Sequence, residues 1–458
     1  VRSAPDGPVE PQGLPDDRVD ALFFCLKSFS RLALAVSGGP DSLCLLVLFD
    51  EWRRRNRWPG TAEILCVDHG LRAESAAEAA FVAEAAKARG LSCTVLRWNG
   101  GKPASNLQEE ARRARYRLMA GRMRKSGTEA LVLAHHLDDQ AETFLDRLTR
   151  GSGVSGLSAM AADEPEGPSG LRLLRPLLEV PKHQLEASLA ERGINWCSDP
   201  SNLDPKYKRS RLRALMALLA GEGLSAERIA RTAGNIRRAR EALEATVMDL
   251  AARHVEEHAA GPLRLDRAVY RSVAEDLRLR LLTYLAARAT GTALRPRLEK
   301  LEALDLKIMS RENARHTLAG ALFESGDDTI WCWREPGRVP PGIAARLCGS
   351  GLWDNRYRYR IAEEGSAAAM GSGLTLGPLF AAPVSARQID WPGGWPKAAF
   401  ECAPAVWAGD ELVWTAVDPT RNAKGNIHGC DGLEVVRLPV AGKLVANFLE
   451  NGYDAAEF

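Results

Sequence analysis

The sequence predicts a doubly wound α/β domain built on a parallel sheet, then an all-helical domain, then a small C-terminal α/β or mostly-β domain. Three observations carry that prediction. From Arg31, short β-prone runs alternate four times with amphipathic helical stretches, which is the pattern of βαβ units with helices on both sheet faces. Residues 210–310 are dominated by Ala, Leu, Arg and Glu at helical spacing. Beyond about residue 315, short β-like runs with Gly and Pro take over, and seven of the eleven tryptophans fall there, enough to furnish a separate core.

Taken in order, residues 1–20 are polar and Pro-rich and read as a disordered tail. Strands are expected at 32–36, 62–67, 92–98 and 130–134, with helices near 42–55, 74–89, 105–125 and 138–149. A Gly-, Ser- and Pro-rich loop spans 151–170, and a further helix is expected at 182–192 before the polar turn Ser198-Asp199-Pro200-Ser201-Asn202. A long helix is expected from Ala226 to about His258. These divisions set domains at about 21–214, 215–312 and 313–458.

Composition narrows the class of protein. A chain of 458 residues suits two or three domains. Lys+Arg at 61 against Asp+Glu at 59 leaves a net charge of +2, which excludes a histone-like polycation. No run is apolar enough to cross a bilayer, and residues 1–17 lack the apolar stretch of a signal peptide, so a cytoplasmic protein is expected. The nine cysteines are scattered with no C-x-x-C pair, which argues against a zinc or cluster site and for buried, reduced thiols.

The strongest motif is Ser37-Gly38-Gly39-Pro40-Asp41-Ser42, between the first strand and the first helix. Two glycines let backbone N–H groups approach an anion, and the following helix points its positive end at the same spot. The Ser37 and Ser42 hydroxyls suit phosphate oxygens, and Asp41 suits the Mg²⁺ that accompanies a nucleotide. No Lys opens the helix, so this is not the G-x-x-x-x-G-K-[ST] loop. Asp68-His69 and His135-His136 also end predicted strands, so three polar clusters meet where open α/β sheets bind ligands. His135, Asp139 and Glu142 share one helix face by their spacing. The run Lys206-Tyr207-Lys208-Arg209-Ser210-Arg211-Leu212-Arg213 interleaves cations with an aromatic, a pattern suited to an RNA backbone and an unstacked base. Gly151-Ser152-Gly153-Val154-Ser155-Gly156 fits G-x-G-x-x-G, but it follows a helix rather than a strand and reads as a connection.

The S-G-G-x-D-S loop resembles the pyrophosphate loop of the N-type ATP pyrophosphatases. Within that group the tRNA(Ile)-lysidine synthases are singled out by further motifs in order: Val67-Asp68-His69-Gly70-Leu71-Arg72, Ala111-Arg112-x-x-Arg115-Tyr116, Leu133-Ala134-His135-His136-Leu137-Asp138-Asp139-Gln140-Ala141-Glu142-Thr143, Arg175-Pro176-Leu177-Leu178 and Asp199-Pro200-Ser201-Asn202. The resemblance covers about residues 31–213. It implies ATP on Ser37, Gly38, Gly39, Pro40, Asp41 and Ser42 with the nucleoside near Asp68 and His69. It implies catalytic roles for Asp41, Arg112, Arg115, His135, Asp139 and Glu142, and Mg²⁺ on Asp41 and Asp139; which of His135, Asp139 and Glu142 serves nucleotide, metal or lysine stays open. Lys206, Lys208, Arg209, Arg211 and Arg213 are expected to meet tRNA, with Ser210 standing where the family's Arg-Asn-x-x-Arg has Asn.

The reaction so implied adenylates O2 of the first anticodon base of a CAU-bearing isoleucine tRNA. The ε-amine of free L-lysine then displaces AMP. The helical and C-terminal domains are expected to engage tRNA. A 2-thiolation enzyme of the same superfamily would be expected to carry a cysteine pair that this chain lacks. An inactive tRNA-binding relative is opposed by the intact loop and H-H-x-D-D-Q-x-E-T. The sequence fixes neither its true N-terminus nor an oligomeric state, and a homodimer is compatible with it.

Overall fold

The computed structural model describes residues 12–70, 75–100, 107–197, 206, 208–292, 296–310, 313–340, 342–344, 349–361, 374–382, 389, 391–409, 411–417 and 433–438. Leu71, Arg72, the turn at 198–202 and Tyr207 therefore lie outside the described residues, as do Cys348 and Cys430. The chain clusters into two compact units, residues 1–151 with 157–237 and residues 152–156 with 238–458.

The first unit runs α1 (Asp16–Leu22), β1 (Arg31–Ala35), α2 (Pro40–Arg55), β2 (Thr61–Asp68), α3 (Ser75–Lys87), β3 (Ser92–Arg97), α4 (Leu107–Ser126), β4 (Ala130–Val132) and α5 (Leu137–Leu148). It continues through β5 (Asp163–Glu164), β6 (Leu173–Leu174), α7 (Lys182–Ala190) and α8 (Lys208–Gly221) into the first part of α9 (Ala226–His254), while the short α6 (Val154–Leu157) lies mostly in the second unit. The sheet order is β3-β2-β1-β4-β6-β5, parallel except for the β5–β6 pair. Side chains alternate across the pleat. Leu32, Leu34, Ile64 and Val132 join α2, α3 and α7 in one core, while Ala33, Leu65 and Leu131 join Tyr116, Met119 and Met123 of α4 in the other. The doubly wound fold follows from that two-sided burial. The order reverses at β1, which lies between β2 and β4, so a crevice opens at the carboxyl ends of β1 and β4.

Residues 12–20 differ from the expected disordered tail. Leu14 and Val19 are buried, the Gly13 N–H donates to Glu191 at 2.7 Å, and Arg55 pairs with Asp16 at 2.9 Å and Asp20 at 2.6 Å. The reason is local: Leu14, Val19 and Phe23 supply an apolar stripe that the surrounding Pro and Asp residues obscure in composition.

In the second unit, β7 (Val255–Glu257) and β8 (Leu263–Asp266) precede α10 (Arg267–Ser272), α11 (Glu275–Thr290) and α12 (Leu298–Met309). Then come β9 (Ala314–Leu318), β10 (Ala321–Ser325) and β11 (Thr329–Arg334), giving an antiparallel sheet of order β7-β8-β11-β10-β9. The expected all-helical stretch thus contains two strands. Leu263 and Leu265 alternate with Arg264 and Asp266 in the period of a strand, but four residues are too few to stand out from Ala- and Arg-rich flanks. Leu263 and Leu265 share a core with α11, α12, β10 and β11, which joins the helical and sheet stretches. The remaining strands are β12 (Ile343–Ala344), β13 (Gly349–Trp353), β14 (Tyr357–Ile361), β15 (Leu374–Pro378), β16 (Pro404–Ala408), β17 (Glu411–Thr415) and β18 (Leu433–Arg437). They form sheets of order β12-β15-β16-β17 and β13-β14-β18. Trp333 and Trp353 are fully buried, and Trp391, Trp395, Trp407 and Trp414 pack on the core around Phe400, so these tryptophans are packing residues.

Asp305 is the polar keystone of the second unit. It accepts from the Tyr270 hydroxyl at 2.5 Å and takes Arg278 through both oxygens, each at 2.8 Å, in a site where both charged side chains are largely buried. Asp305→Ala leaves an arginine charge and a phenol hydroxyl without that partner. The expected cost is about 3 kcal/mol, read by chemical denaturation of the full chain.

Candidate functional site

The site starts where β1 ends. Val36 still donates to Leu65, and the chain then turns through Ser37 and Gly38 into α2, with Pro40 at a first helical position where no N–H is needed. Gly38 sits at φ +91°, a conformation costly for any residue with a Cβ. The turn holds its own shape: Ser42 Oγ accepts from the Ser37 N–H at 3.1 Å and donates to the Gly39 carbonyl at 3.1 Å, while the two serine hydroxyls lie 3.2 Å apart. From outside, the Cys197 N–H donates to the Gly38 carbonyl at 3.0 Å. A Cβ on Gly39 would meet only Ser37 Oγ, at 3.9 Å, so this glycine keeps open space beside the loop. With the N-terminus of a sixteen-residue helix behind it, that space suits an anion.

Two carboxylates border it. Asp41 stands on the first turn of α2, and one of its oxygens, Oδ1, is buried with no hydrogen-bond partner. Burial pushes its pKa up, but the bond and charge of His136, with Lys182 and Arg213 beyond, hold it below the usual carboxylate range. Asp139, on the first turn of α5, accepts the His136 N–H at 3.1 Å and closes a capping box at that helix start. Glu142 is 3% exposed, with Oε1 paired to Arg213 of α8 and Oε2 buried without a partner. Burial raises its pKa despite that arginine.

The two adjacent histidines behave oppositely. His135 is pushed well below its ordinary pKa by burial and by the charges of Arg175, Arg112, Arg115 and Arg209. Arg175 Nε donates to His135 Nδ1 at 3.2 Å, which leaves the ring neutral with its proton on Nε2. His136 is 2% exposed; burial opposes its charge, but Asp138, Asp41 and Asp139 raise its pKa to about 10. Its Nε2 lies 3.5 Å from both Asp41 and Asp139, and its Nδ1 lies 3.5 Å from Asp138.

Arg112 and Arg115 project from α4 with their guanidinium groups 5.1 and 5.5 Å from the Tyr116 ring. No carboxylate among the described residues forms an ion pair with either, so their charge is directed at His135 and the space beside it. Asp68 ends β2 and accepts from the Gly70 N–H at 2.9 Å and the Ser75 hydroxyl at 2.8 Å, which together lower its pKa. It therefore shapes the turn into α3, while His69 meets Trp98 edge-on at 6.0 Å. The basic run divides. Arg213 turns inward to Glu142, and Lys208 pairs with Asp146 at 2.6 Å. Arg211 bonds the Lys206 carbonyl at 2.9 Å, and exposed Arg209 acts on both His135 and Glu142.

Sequence reasoning gave no role to His136, Asp138, Arg175 or Lys182. A signal for His136 exists in the H-x-x-D spacing at a helix start. Arg175 lies in a loop far along the chain and shows its role only through its 4% exposure and its bonds to His135, Ala161 and Glu164. Among the described residues no three His, Cys, Asp or Glu side chains form a ready-made metal cage. The unpartnered Asp41 Oδ1 fits a Mg²⁺ that takes one or two carboxylates and completes its shell with phosphate oxygens and water.

Comparison with known proteins adds independent findings. The PP-loop domain family matches residues 16–219. The chain is similar to the tRNA(Ile)-lysidine synthase of Rhodopseudomonas palustris, 42% identical over 322 residues that cover 68% of this chain and 92% of that protein. It is similar to the tRNA(Ile)-lysidine synthase of Ruegeria pomeroyi, 38% identical over 395 residues that cover 84% and 87%. Among solved structures, the U34-tRNA thiolase NcsA from Methanococcus maripaludis aligns over 48% of this chain and 77% of that one, at 16% identity and a TM-score of 0.41, too distant to bear on substrate.

The loop geometry predicts unequal costs for its two glycines. Gly38→Ala forces a Cβ into a left-handed conformation, 3.4 Å from Val82 and 3.6 Å from Cys197, and is expected to cost about 1–2 kcal/mol. Gly39→Ala, at φ −70°, is expected to leave stability within about 0.5 kcal/mol. Thermal denaturation of the two variants side by side checks the difference.

Proposed function

The chain belongs to the tRNA(Ile)-lysidine synthase family, and from that premise we propose how its residues carry the reaction. It is an ATP-dependent enzyme that forms lysidine in tRNA. In our reading the substrate is an isoleucine tRNA with a CAU anticodon and the second substrate is free L-lysine. O2 of the wobble cytidine attacks the α-phosphorus of ATP and pyrophosphate leaves. The ε-amine of lysine then forms a bond to C2, the C2–O bond breaks, and AMP departs with that oxygen.

The observation that carries this reading is the meeting of unlike charges at the ends of β1 and β4. An anion-binding loop, two buried carboxylate oxygens without partners, and a neutral histidine backed by arginines face the crevice together. The open space beside Gly39 and the start of α2 suit the pyrophosphate. Asp41 and Asp139 would hold Mg²⁺, which supplies charge neutralisation on the phosphates. Arg112 and Arg115 stabilise negative charge developing on the α-phosphate, a role suited to guanidinium groups that no described carboxylate neutralises. His135, held by Arg175, offers its Nε2 proton as a hydrogen-bond donor to an oxygen in that transition state. Glu142, raised in pKa by burial and with Oε2 unpartnered, orients the lysine ammonium and accepts its proton as the amine attacks. We place the protein in the cytoplasm, a reading that the free thiols at every described cysteine support.

We assign tRNA backbone contacts to Lys206 and the exposed start of α8 (Arg209 and Arg211), and to a groove in the second unit. That groove, of about 500 Å³, lies between α12 and the edge strand β9 and is lined by Lys300, Lys307, Arg315 and His316. Lys300 and Lys307 are seven residues apart on one helix, about 10 Å along its axis. Both cations therefore lie within reach of one nucleic-acid backbone.

Two measurements test this reading. Labelled lysine is expected to enter an unmodified isoleucine tRNA transcript with a CAU anticodon, but not methionine tRNA with the same anticodon, and Asp41→Ala is expected to abolish it. Pyrophosphate release without lysine incorporation would overturn lysine as the nucleophile. For the groove, joint replacement of Lys300 and Lys307 by Gln is expected to weaken tRNA binding and flatten its log–log salt slope by about 1.5–2, with kcat at saturating tRNA kept. An unchanged slope would remove the groove from the tRNA interface.

A further inference from the structure

His136 is the most enclosed polar side chain around the site, and in the reading above it touches no substrate. Its ring joins two separate segments. Nε2 reaches Asp41 Oδ2 on the first turn of α2 and Asp139 Oδ2 on the first turn of α5, each at 3.5 Å, and Nδ1 reaches Asp138 Oδ2 at 3.5 Å. Two of these three carboxylates are anchored elsewhere as well: Asp138 accepts the Lys182 N–H at 2.9 Å, and Asp139 accepts the His136 N–H at 3.1 Å. Asp41 differs. Among the described residues His136 is its one ion-pair partner, while Oδ1 is buried with no hydrogen bond. The rotamer of Asp41 therefore depends on the imidazole more than that of either neighbour does. Without a cation between them, Asp41 and Asp139 would repel at close range and turn apart.

We propose that His136 is a positioning residue that fixes the Asp41 carboxylate by Oδ2 and so aims Oδ1 at the metal that accompanies ATP. The proposal rests on the reading of Asp41 as a Mg²⁺ ligand. It differs from a packing role in what it spares: a ring needed only for packing weakens every ligand alike, or none. A ring that aims Asp41 weakens the metal and leaves the pyrophosphate loop intact, because Ser37, Gly38 and Ser42 hold their turn without it. Asp138 acts one step further out, since it holds the far side of the ring.

The test uses the full chain, ATP and Mn²⁺ as the probe, with bound Mn²⁺ counted by electron paramagnetic resonance and ATP binding followed by calorimetry. His136→Gln is expected to raise the Mn²⁺ Kd in the presence of ATP about tenfold or more, the range seen when a group supporting a metal ligand is removed. Its Kd for ATP in EDTA is expected to stay within about twofold of the unmodified chain. Asp138→Asn, which keeps an acceptor for the Lys182 N–H, is expected to shift the Mn²⁺ Kd in the same direction by a smaller factor. Folded His136→Gln that binds Mn²⁺ as tightly as, or more tightly than, the unmodified chain overturns the proposal. If His136→Gln does not fold, Asp138→Asn decides, and an unchanged Mn²⁺ Kd overturns it. An unmodified chain that binds no ATP under either condition overturns instead the ATP-site reading, and this proposal with it.

Discussion

Buried negative charge at the carboxyl ends of β1 and β4 is the constraint around which the first unit is arranged. Asp41, Asp138, Asp139 and Glu142 are gathered there from two helices that begin where their strands end. Carboxylates held this close, Glu142 among them buried, must be offset by cations or hydrogen-bond donors within reach. The fold supplies charge or a hydrogen bond to each: the Arg213 guanidinium of α8 to Glu142, the α7 backbone N–H of Lys182 to Asp138, and His136 to Asp41 and Asp139. Two oxygens, Asp41 Oδ1 and Glu142 Oε2, are left buried without a hydrogen-bond partner.

The pair His135-His136 shows how far environment outranks residue type. The two imidazoles are neighbours in sequence, yet one is driven neutral and the other cationic. Burial opposes charge on both. His135 faces Arg175, Arg112, Arg115 and Arg209, which add to that opposition; His136 faces three aspartates, which reverse it. One side of the crevice thus carries a neutral donor among guanidinium groups, suited to phosphoryl oxygens, and the other carries carboxylates suited to a metal and an amine.

The second unit solves a different problem. It buries some arginines on carbonyls or carboxylates, as Arg267 does through the carbonyls of Ile308 and Ser310, and Arg356 through Asp354 and the Cys402 carbonyl. Its tryptophans fill cores rather than line a surface. Between α12 and β9, Lys300, Lys307, Arg315 and His316 come together along one groove.

The sequence by itself determined the doubly wound sheet, because four strand–helix alternations and two-sided apolar strands have few other solutions, and it determined the anion loop, because Ser37 to Ser42 are contiguous and their hydrogen bonds are local. It also located Asp139 and Glu142 on one helix face, whereas His135, expected to share that face, precedes the helix, which starts at Leu137. Only the tertiary structure decided which of the two histidines carries charge, that Arg213 turns inward while Arg209 and Arg211 do not, and that Arg175 orients His135. It likewise decided that residues 12–20 pack and that β7 and β8 complete a sheet begun by later strands. The physical reason is common to all of these. Each depends on partners distant in sequence, and neither electrostatic environment nor the burial of a short segment is encoded in its own periodicity.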